Sequence, residues 1–556
     1  MPATGHDNDE AGHGGAVVRD AERGNPAGSG NVAGRGIAAE LQEALLPTAL
    51  PVLPQVRIAA RYLVAGQEQA AGGDWFDAIP LDGGAVALVV GDVVGHGVAA
   101  SAAMGQLRAV LAELLAAEDD LGNVLRRADV FAARMPSLRA ATLALVVLDP
   151  AAGTLRYTTC GHPPPLVISL DGKARYLKGT GTGPLGTGSP PVLASNALAP
   201  GELILLYSDG LVERPDRTIA EGMAELAVVT ADAAAGRSPA PDPATADPPA
   251  PDQAAADQAA ADQAAAERVC QLSVELLTRA GHSDDVTALT AQWLADPVPP
   301  LHLSLPSARS SLTTARDAFV GWLRRLDATA DDWEALHLAM VEVFTNAIEH
   351  AYPREAPGTI ELDASLESDG SVACLVTDHG TWRPPDPADA DRGHGLMVAG
   401  HVVDELLVSH PAADDAAGPG GTTVTMRLRL RRPAVLASGH RAEHVAYPAE
   451  RPFTVDTSVA AGATARALVG GTVDITTADL LARRLLSVSR GGTVPLVADL
   501  TGVTQLASAA VRALYEVSEQ LAAHGQRLVL VTVPGSAAHM VLDLARLDHV
   551  TREESA

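Results

Sequence analysis

GGDWFDAIP, residues 72–80, sets two adjacent aromatic residues between two aspartates, in a chain that is only 3% aromatic. The paired glycines let the backbone pass close to whatever Asp74 holds, and Trp75 and Phe76 are residues a strand uses to anchor such a turn. Taken alone, an aspartate after two glycines also fits an ordinary turn. The reading therefore depends on whether similar carboxylates recur at strand ends, and they do. VGDVVGHG puts Asp92 after the run AVALVV, YSDG puts Asp209 after ELILLY, and SDD puts Asp284 and Asp285 just ahead of VTALT. Hard divalent cations take several oxygen ligands. A two-ion site needs carboxylates converging from separate strands, and it supplies a nucleophilic water and charge neutralisation for a phosphoryl group.

At 556 residues the chain is long enough for two to four domains. With 47% apolar and 19% charged residues it can build real cores. A formal net charge of −28 argues against nucleic acid or an anionic membrane as a partner. Cys160, Cys270 and Cys374 are far apart and form no CxxC pair, which excludes a zinc ribbon or a disulfide framework and suits a reducing cytoplasm. The N-terminus has no basic segment followed by an apolar one, and no apolar run reaches the length of a membrane span, so a cytoplasmic protein is expected.

Along the chain, residues 1–35 have no periodicity and are expected to be a disordered tail. Residues 36–295 alternate strand-like runs with helical stretches. They are interrupted at 231–266 by an Ala/Pro/Asp/Gln-rich insert in which DQAAA repeats three times. A second unit, residues 301–431, begins with helices and continues as strands. Residues 432–452 read as a Pro/Ala/Gly-rich linker, and 453–550 as a small α/β unit with a mixed or parallel sheet. The fold class expected is multidomain α/β and α+β.

In the second unit, Glu342, Asn346 and His350 of LHLAMVEVFTNAIEHAY are spaced i, i+4, i+8 and share a helix face. A polar stripe there needs partners or a ligand. Downstream come VTDHGTW with Asp378 and Gly380, RGHGLMVAG with Gly393 and Gly395, and GGTTVTM with Gly421 and Thr422. In the third unit, VADLTGVTQLASAAVRALYE is a strand, a turn and a helix, with Ser508 at the helix start. That position suits an N-cap hydroxyl or a phosphate facing free backbone N–H groups.

In this order the motifs carry three resemblances. LQEALLP, GGDWFD, GDVVGHG, GHPPPLV, LYSDGLVE and DDVTALT resemble the metal-dependent serine/threonine phosphatase (PPM) family, in its sporulation and stress-response branch. The resemblance implies a β-sandwich flanked by helices that binds two Mn²⁺ or Mg²⁺ ions. Asp74 would be a ligand, Asp92 the bridging ligand with the Val93 carbonyl beside it, and Asp209 and Asp284 ligands of the second ion. Asp77 and His96 lie within the motifs without an assigned role. Residues 301–431 resemble the GHKL fold of anti-sigma-factor serine kinases. That implies ATP and Mg²⁺, with Asn346 on the ion, Asp378 on the adenine, Gly380, Gly393, Gly395, Gly421 and Thr422 shaping the nucleotide pocket, and Glu342 as general base. Residues 453–550 resemble a STAS anti-sigma antagonist with Ser508 at the phosphorylated position. The family pattern has an acid before that serine and a hydroxyl and glycine after it, whereas this chain has Ala507, Ala509 and Ala510.

Together the resemblances imply a fused partner-switching regulator, with a STAS antagonist or a sigma factor as partner and homodimerisation possible through the 41–46 helix. A phosphoserine phosphatase would act on a STAS antagonist in cis or in trans, opposed by the kinase-like unit. An alternative leaves the phosphatase as the sole enzyme, with the kinase-like and STAS units as binding modules. A third reading is a general phosphatase with incidental appendages.

Overall fold

Leucine- and valine-rich runs separated by glycine turns form two stacked sheets at the N-terminal end of the protein. In the computed structural model the residues described are 44–47, 49–64, 72–95, 97–214, 217–237, 265–279, 282, 284–294, 296–352, 358–380, 394–410, 421–436, 452–459 and 464–552. The expected tail (1–35) and most of the insert and linker lie outside them, as do the helix expected from residue 36 up to residue 43, His96 and Gly393.

The first domain contains β1 (Val56–Leu63), β2 (Trp75–Pro80), β3 (Val86–Asp92), α1 (Val98–Ala117), α2 (Leu121–Arg134), β4 (Thr142–Asp149) and β5 (Thr154–Cys160). It continues with β6 (Leu166–Ser169), β7 (Lys173–Tyr176), β8 (Ala194–Ala197), β9 (Leu203–Tyr207), α3 (Ile219–Ala234), α4 (Ala265–Leu277) and β10 (Val286–Trp293). One sheet runs β2-β3-β4-β5-β8, and the other runs β1-β10-β9-β6-β7 with Val435–Leu436 added beyond β1. Side chains such as Leu88, Val90, Leu145, Ile204 and Leu289 meet between the sheets. α1 packs on the first sheet, and α3 and α4 cover the second. α1 is long and apolar enough to cross a membrane by length and composition, contrary to the sequence expectation, but Met104, Leu107, Leu111 and Leu115 on its inner face are buried in the domain core. α3 and α4 occupy both edges of the insert, expected to be flexible and partly helical, so residues 231–234 and 265–266 are helical.

The second domain opens not on a helix but on an edge strand, β11 (Leu301–Pro306), whose alternating apolar pattern LHLSLP has the period of a half-buried strand. α5 (Arg309–Leu326), α6 (Ala330–His350), β12 (Thr359–Leu366), β13 (Ser371–Asp378), α7 (His394–Val402), β14 (Glu405–Ser409) and β15 (Thr422–Arg429) follow. The sheet is antiparallel, in the order β11-β12-β13-β15-β14, and α5 and α6 pack across it. Thr329 caps α6 through the Asp332 N–H, and Asp331 and Asp332 lie in the first turn where a helix N-terminus favours acids.

Residues 432–436, expected to begin the linker, instead return to the first domain. Arg431–Pro433 pairs antiparallel with Ala49–Pro51, and Val435–Leu436 pairs parallel with β1. Arg432 and Arg57 share Glu267 and Asp327 at 2.6–3.2 Å, which ties the first two domains together.

The third domain comprises β16 (Thr454–Val459), β17 (Ala465–Val473), α8 (Ala478–Val488), β18 (Leu496–Leu506), α9 (Ser508–Ala523), β19 (Leu528–Thr532), α10 (Ala537–Leu544) and β20 (His549–Thr551). Its sheet runs β16-β17-β18-β19-β20, antiparallel at the first pair and parallel in the rest. The multidomain α/β class expected from sequence is the class observed.

Candidate functional site

Two sites emerge, one at the open end of the sandwich and one where the second and third domains meet. At the first, the register sets the geometry. Trp75 pairs with Gly91, so Asp74 and Asp92 emerge side by side at one end of the β2–β3 hairpin. Tyr207 pairs with Ala288, which brings Asp209, after β9, beside Asp284 and Asp285, before β10. The glycines are required by contact. A Cβ on Gly91 would lie 2.2 Å from the Trp75 ring, and one on Gly73 would lie 2.0 Å from the Val93 carbonyl and 2.9 Å from the Asp92 carboxylate. The aromatic pair of the opening motif therefore packs against the strand that ends in Asp92.

Burial grades across this cluster. Asp74 and Asp285 are buried, Asp92 and Asp209 half-buried, and Asp284 exposed at the rim. Asp74 accepts a hydrogen bond from the Thr287 hydroxyl at 3.0 Å, and Asp285 accepts one from the Tyr62 phenol at 2.7 Å. Burial, with repulsion from Asp92 and Asp285, holds the Asp74 carboxyl well above the carboxylate range. Burial and the neighbouring aspartates Asp209, Asp284 and Asp285 push Asp92 up to about 7. Asp209 is raised by burial and by Asp284. Carboxylates that repel one another at a cleft mouth are the environment a divalent cation relieves. The one trio of described metal-binding side chains that closes to within 4.8 Å lies elsewhere, at His539, Asp543 and His549. The acidic cleft is thus spread wider than the first shell of one ion, and its oxygen-only donor set fits hard cations.

Asp77 faces away from this cluster, ion-paired to Arg108 at 2.9 Å. His162, from GHPPP, is a positioning residue. Its Nε2 donates to the Tyr207 carbonyl at 3.1 Å, and its Nδ1 accepts from the Thr142 hydroxyl at 2.8 Å. Burial lowers it to about 4, so it is neutral near pH 7. Tyr62, Ser208 and Thr287, which hold Asp74 and Asp285, carried no sequence signal because each sits inside an ordinary apolar strand or turn.

At the second site, α6 presents Glu342 and Asn346 to the start of α7. A Cβ on Gly395 would lie 2.7 Å from the Glu342 carboxylate and 3.2 Å from the Asn346 amide. Asp378 ends β13 opposite Thr422 of β15, and its carboxylate accepts the Gly380 N–H at 2.9 Å. A Cβ on Gly421 would lie 2.4 Å from the Asp378 carbonyl, and one on Gly380 would lie 2.0 Å from the Ala351 carbonyl. All the expected nucleotide-pocket residues except Gly393 are therefore described, and they lie along one end of the sheet and the facing end of α6.

The third domain docks on this site. The Ser508 hydroxyl lies 2.5 Å from Glu342 Oε2, and the Ser508 N–H lies 2.6 Å from Glu342 Oε1. Glu342 is 1% exposed, and burial raises its carboxyl despite the opposing pull of Ser508 and Arg512. Arg512–Glu349, Arg316–Asp474 and Arg309–Asp479 flank the contact at 3.1–3.2 Å. Ala507, Ala509 and Ala513 are buried in one cluster with the core of the second domain. The alanines around Ser508 thus form the apolar collar of a docked interface.

Comparison with known proteins agrees with this division. Family models match in series: Stage II sporulation protein E (SpoIIE) over residues 82–294, a histidine kinase-like ATPase domain over 305–428, and a STAS domain over 468–553. The crystal structure of the RsbU and RsbW domains of Rv1364c from Mycobacterium tuberculosis superposes with a TM-score of 0.60 at 37% identity, covering 71% of this chain and 99% of that one. The anti-sigma F factor of Clostridium botulinum (strain Eklund 17B / Type B) is 30% identical over 145 residues, 23% of this chain and 94% of that protein. Protein IcfG of Synechocystis is 29% identical over 206 residues, so the chain spans about a third of that relative. The chain belongs to the family of partner-switching regulators in which a SpoIIE-type PPM phosphatase domain, an RsbW-like kinase-fold domain and a STAS domain follow one another in one polypeptide.

Proposed function

We propose that this chain is a self-contained switch in which a phosphoserine phosphatase and a serine kinase act in opposition on a STAS serine, Ser508 in cis or its equivalent on a separate antagonist. The observation that carries the proposal is the seating of the Ser508 hydroxyl on the Glu342 carboxylate at 2.5 Å. In the kinase direction, Glu342 takes the hydroxyl proton as Ser508 Oγ attacks the terminal phosphoryl of ATP and ADP leaves. The raised pKa of Glu342 makes it a stronger base than an ordinary carboxylate. Asn346 would hold the nucleotide's Mg²⁺, and Asp378 the adenine amino group.

In the phosphatase direction, Asp74, Asp92, the Val93 carbonyl, Asp209 and Asp284 would hold two Mn²⁺ or Mg²⁺ ions. Such ions supply an activated water and neutralise the phosphoryl group. Tyr62 and Thr287 fix the deep carboxylates, so the cluster is positioned before any ion arrives. The test is manganese-dependent release of phosphate from a phosphoserine STAS protein by the intact chain and by Asp92→Ala. Equal activity in the two would end the phosphatase assignment.

One observation favours a second reading. Glu342 also accepts the Ser508 backbone N–H, and the alanine collar is apolar, which suits a lasting dock as well as turnover. In that case the kinase-fold and STAS units hold each other, and a sigma factor or antagonist competes for the same face. Incubation with labelled ATP separates the two readings, since a binding module leaves no phosphate on Ser508.

A further inference from the structure

The end of the STAS domain carries a cluster that neither proposed reaction uses. His539 and Asp543 stand one turn apart on the solvent side of α10, whose other side buries Ala538, Val541 and Leu542. Residues 545–548 turn the chain back to β20, where His549 pairs with Leu530 of β19. The turn is fixed by its backbone. Arg546 takes a left-handed conformation at φ 54°, its N–H reaches the Asp543 carbonyl at 3.0 Å, and the Leu547 N–H reaches the Leu542 carbonyl at 2.9 Å. That double closure is a common way to end a helix. The Ser536 hydroxyl caps the other end of α10 through the His539 N–H at 3.2 Å. The three side chains are thus set from a defined frame.

His549 Nε2 lies 2.9 Å from His539 Nδ1 and 3.6 Å from Asp543 Oδ1, and His539 Nε2 lies 3.6 Å from Asp543 Oδ2. One ligand atom from each residue falls within 4.8 Å of the others. Around a tetrahedral ion with bonds of about 2.0–2.2 Å, neighbouring ligand atoms are about 3.4 Å apart, so small side-chain movements close this trio on one ion. An outer partner is also in place. His549 Nδ1 lies 2.9 Å from the Leu547 carbonyl, which can only accept. Nδ1 therefore carries the proton and, in the neutral ring, Nε2 turns its lone pair toward the other two residues. Exposure rises from 8% at the His549 side chain through 26% at His539 to 63% at Asp543, which gives an ion a way in from solvent.

We propose that His539, Asp543 and His549 bind a divalent ion of the zinc class, with a coordination position left open to water, and that the ion ties α10 to β20. Two imidazoles and one carboxylate suit zinc and its borderline neighbours, whereas the all-oxygen cleft of the phosphatase domain suits harder ions. β20 is the edge strand of its sheet, beside β19, and the ion gives it a second attachment through α10. The site rests on neither reading of Ser508.

The test is cobalt titration of the full chain after chelator treatment, in excess Mg²⁺ so that the acidic cleft is supplied with its own class of ion. Cobalt held by imidazoles in a four- or five-coordinate site gives an intense visible band, whereas octahedral cobalt on carboxylates and water gives a faint one. The expected result is an intense band that saturates at a single equivalent and is removed by Zn²⁺. His539→Gln and His549→Gln should each weaken cobalt binding at least about 100-fold, beyond what loss of an outer partner does. Melting in EDTA checks that the variants fold, and Zn²⁺ should raise the wild-type melting temperature more than theirs. If His549→Gln melts early, His539→Gln, at the more exposed position, decides. Asp92→Ala should leave the band unchanged. The proposal is overturned if the wild type gives no intense band, if the band survives both histidine changes, or if Asp92→Ala removes it.

Discussion

The acidic cleft of the sandwich and the Glu342–Ser508 junction both bury carboxylates, but they balance them differently. In the cleft, burial and the neighbouring carboxylates raise the proton affinity of Asp74, Asp92 and Asp209, and hydrogen bonds from Thr287 and Tyr62 reach the deep Asp74 and Asp285. At the junction a single carboxylate meets a hydroxyl and a helix N-terminus, and Arg512 lies near enough to favour its charge. The first site leaves mutually repelling carboxylates around an open mouth, whereas the second is filled by another part of the same chain. The same carboxyl group can thus face an open cleft in one domain and be closed over by a neighbouring domain in another.

The sharpest way to break this comparison is to remove one carboxylate from each site. Asp92→Ala is expected to lower manganese-dependent phosphatase activity by about 10³-fold, the scale of several kcal/mol of lost charge stabilisation. The same change should raise the metal-free melting temperature, because it relieves repulsion. A fall in metal-free stability would show that Asp92 is balanced by neighbours rather than by an ion. Glu342→Gln is expected to lower phosphate incorporation on Ser508 by about 10²–10⁴-fold while ATP binding persists, since the amide oxygen still accepts one of the two Ser508 hydrogen bonds but takes no proton. Incorporation at the wild-type rate would remove Glu342 from the chemistry.

A smaller effect is expected from pH. His162 is neutral in the folded protein, with its pKa lowered from the usual 6.5 to about 4. The unfolded chain therefore binds the extra proton first. Its contribution to stability is full above pH 6.5 and is lost as pH falls toward 4, on the order of 3 kcal/mol for a shift of that size. His162→Gln should flatten the acid limb of a thermal-unfolding profile, and an unchanged limb would place the acid sensitivity elsewhere. The smallest change is expected from Arg512→Ala. Its ion pair with Glu349 is partly exposed, so Ser508 phosphorylation should fall less than about fivefold. A much larger loss would make the flanking charges, rather than the alanine collar, the main hold on the STAS domain.

The cleft was largely legible in the sequence because glycine-flanked aspartates at strand ends are local features. Asp74, Asp92, Asp209 and Asp284 fall together because the strand registers put them there. The nucleotide-pocket residues were legible for the same reason, one helix face and three glycine turns. The Glu342–Ser508 contact was legible only as two separate residues. They lie 166 positions apart in different domains, and no periodicity reports how two domains dock. The opening strand Leu301–Pro306 was overlooked beside stronger helical signals, although its alternation was present. The return of residues 431–436 to the first domain was hidden by a composition of arginine, proline and alanine that reads as a linker.

That return strand also sets a leash. Leu436 is pinned beside Tyr62, the residue that holds Asp285 in the phosphatase cleft. Fifteen residues, 437–451, separate it from the described start of the third domain. Whatever their conformation, they reach no farther than about 58 Å. The STAS domain is thus confined to a small volume whose fixed point is the phosphatase sheet, although it docks on the kinase fold. A Ser508 that left Glu342 would stay within that radius of the strand beside the acidic cleft.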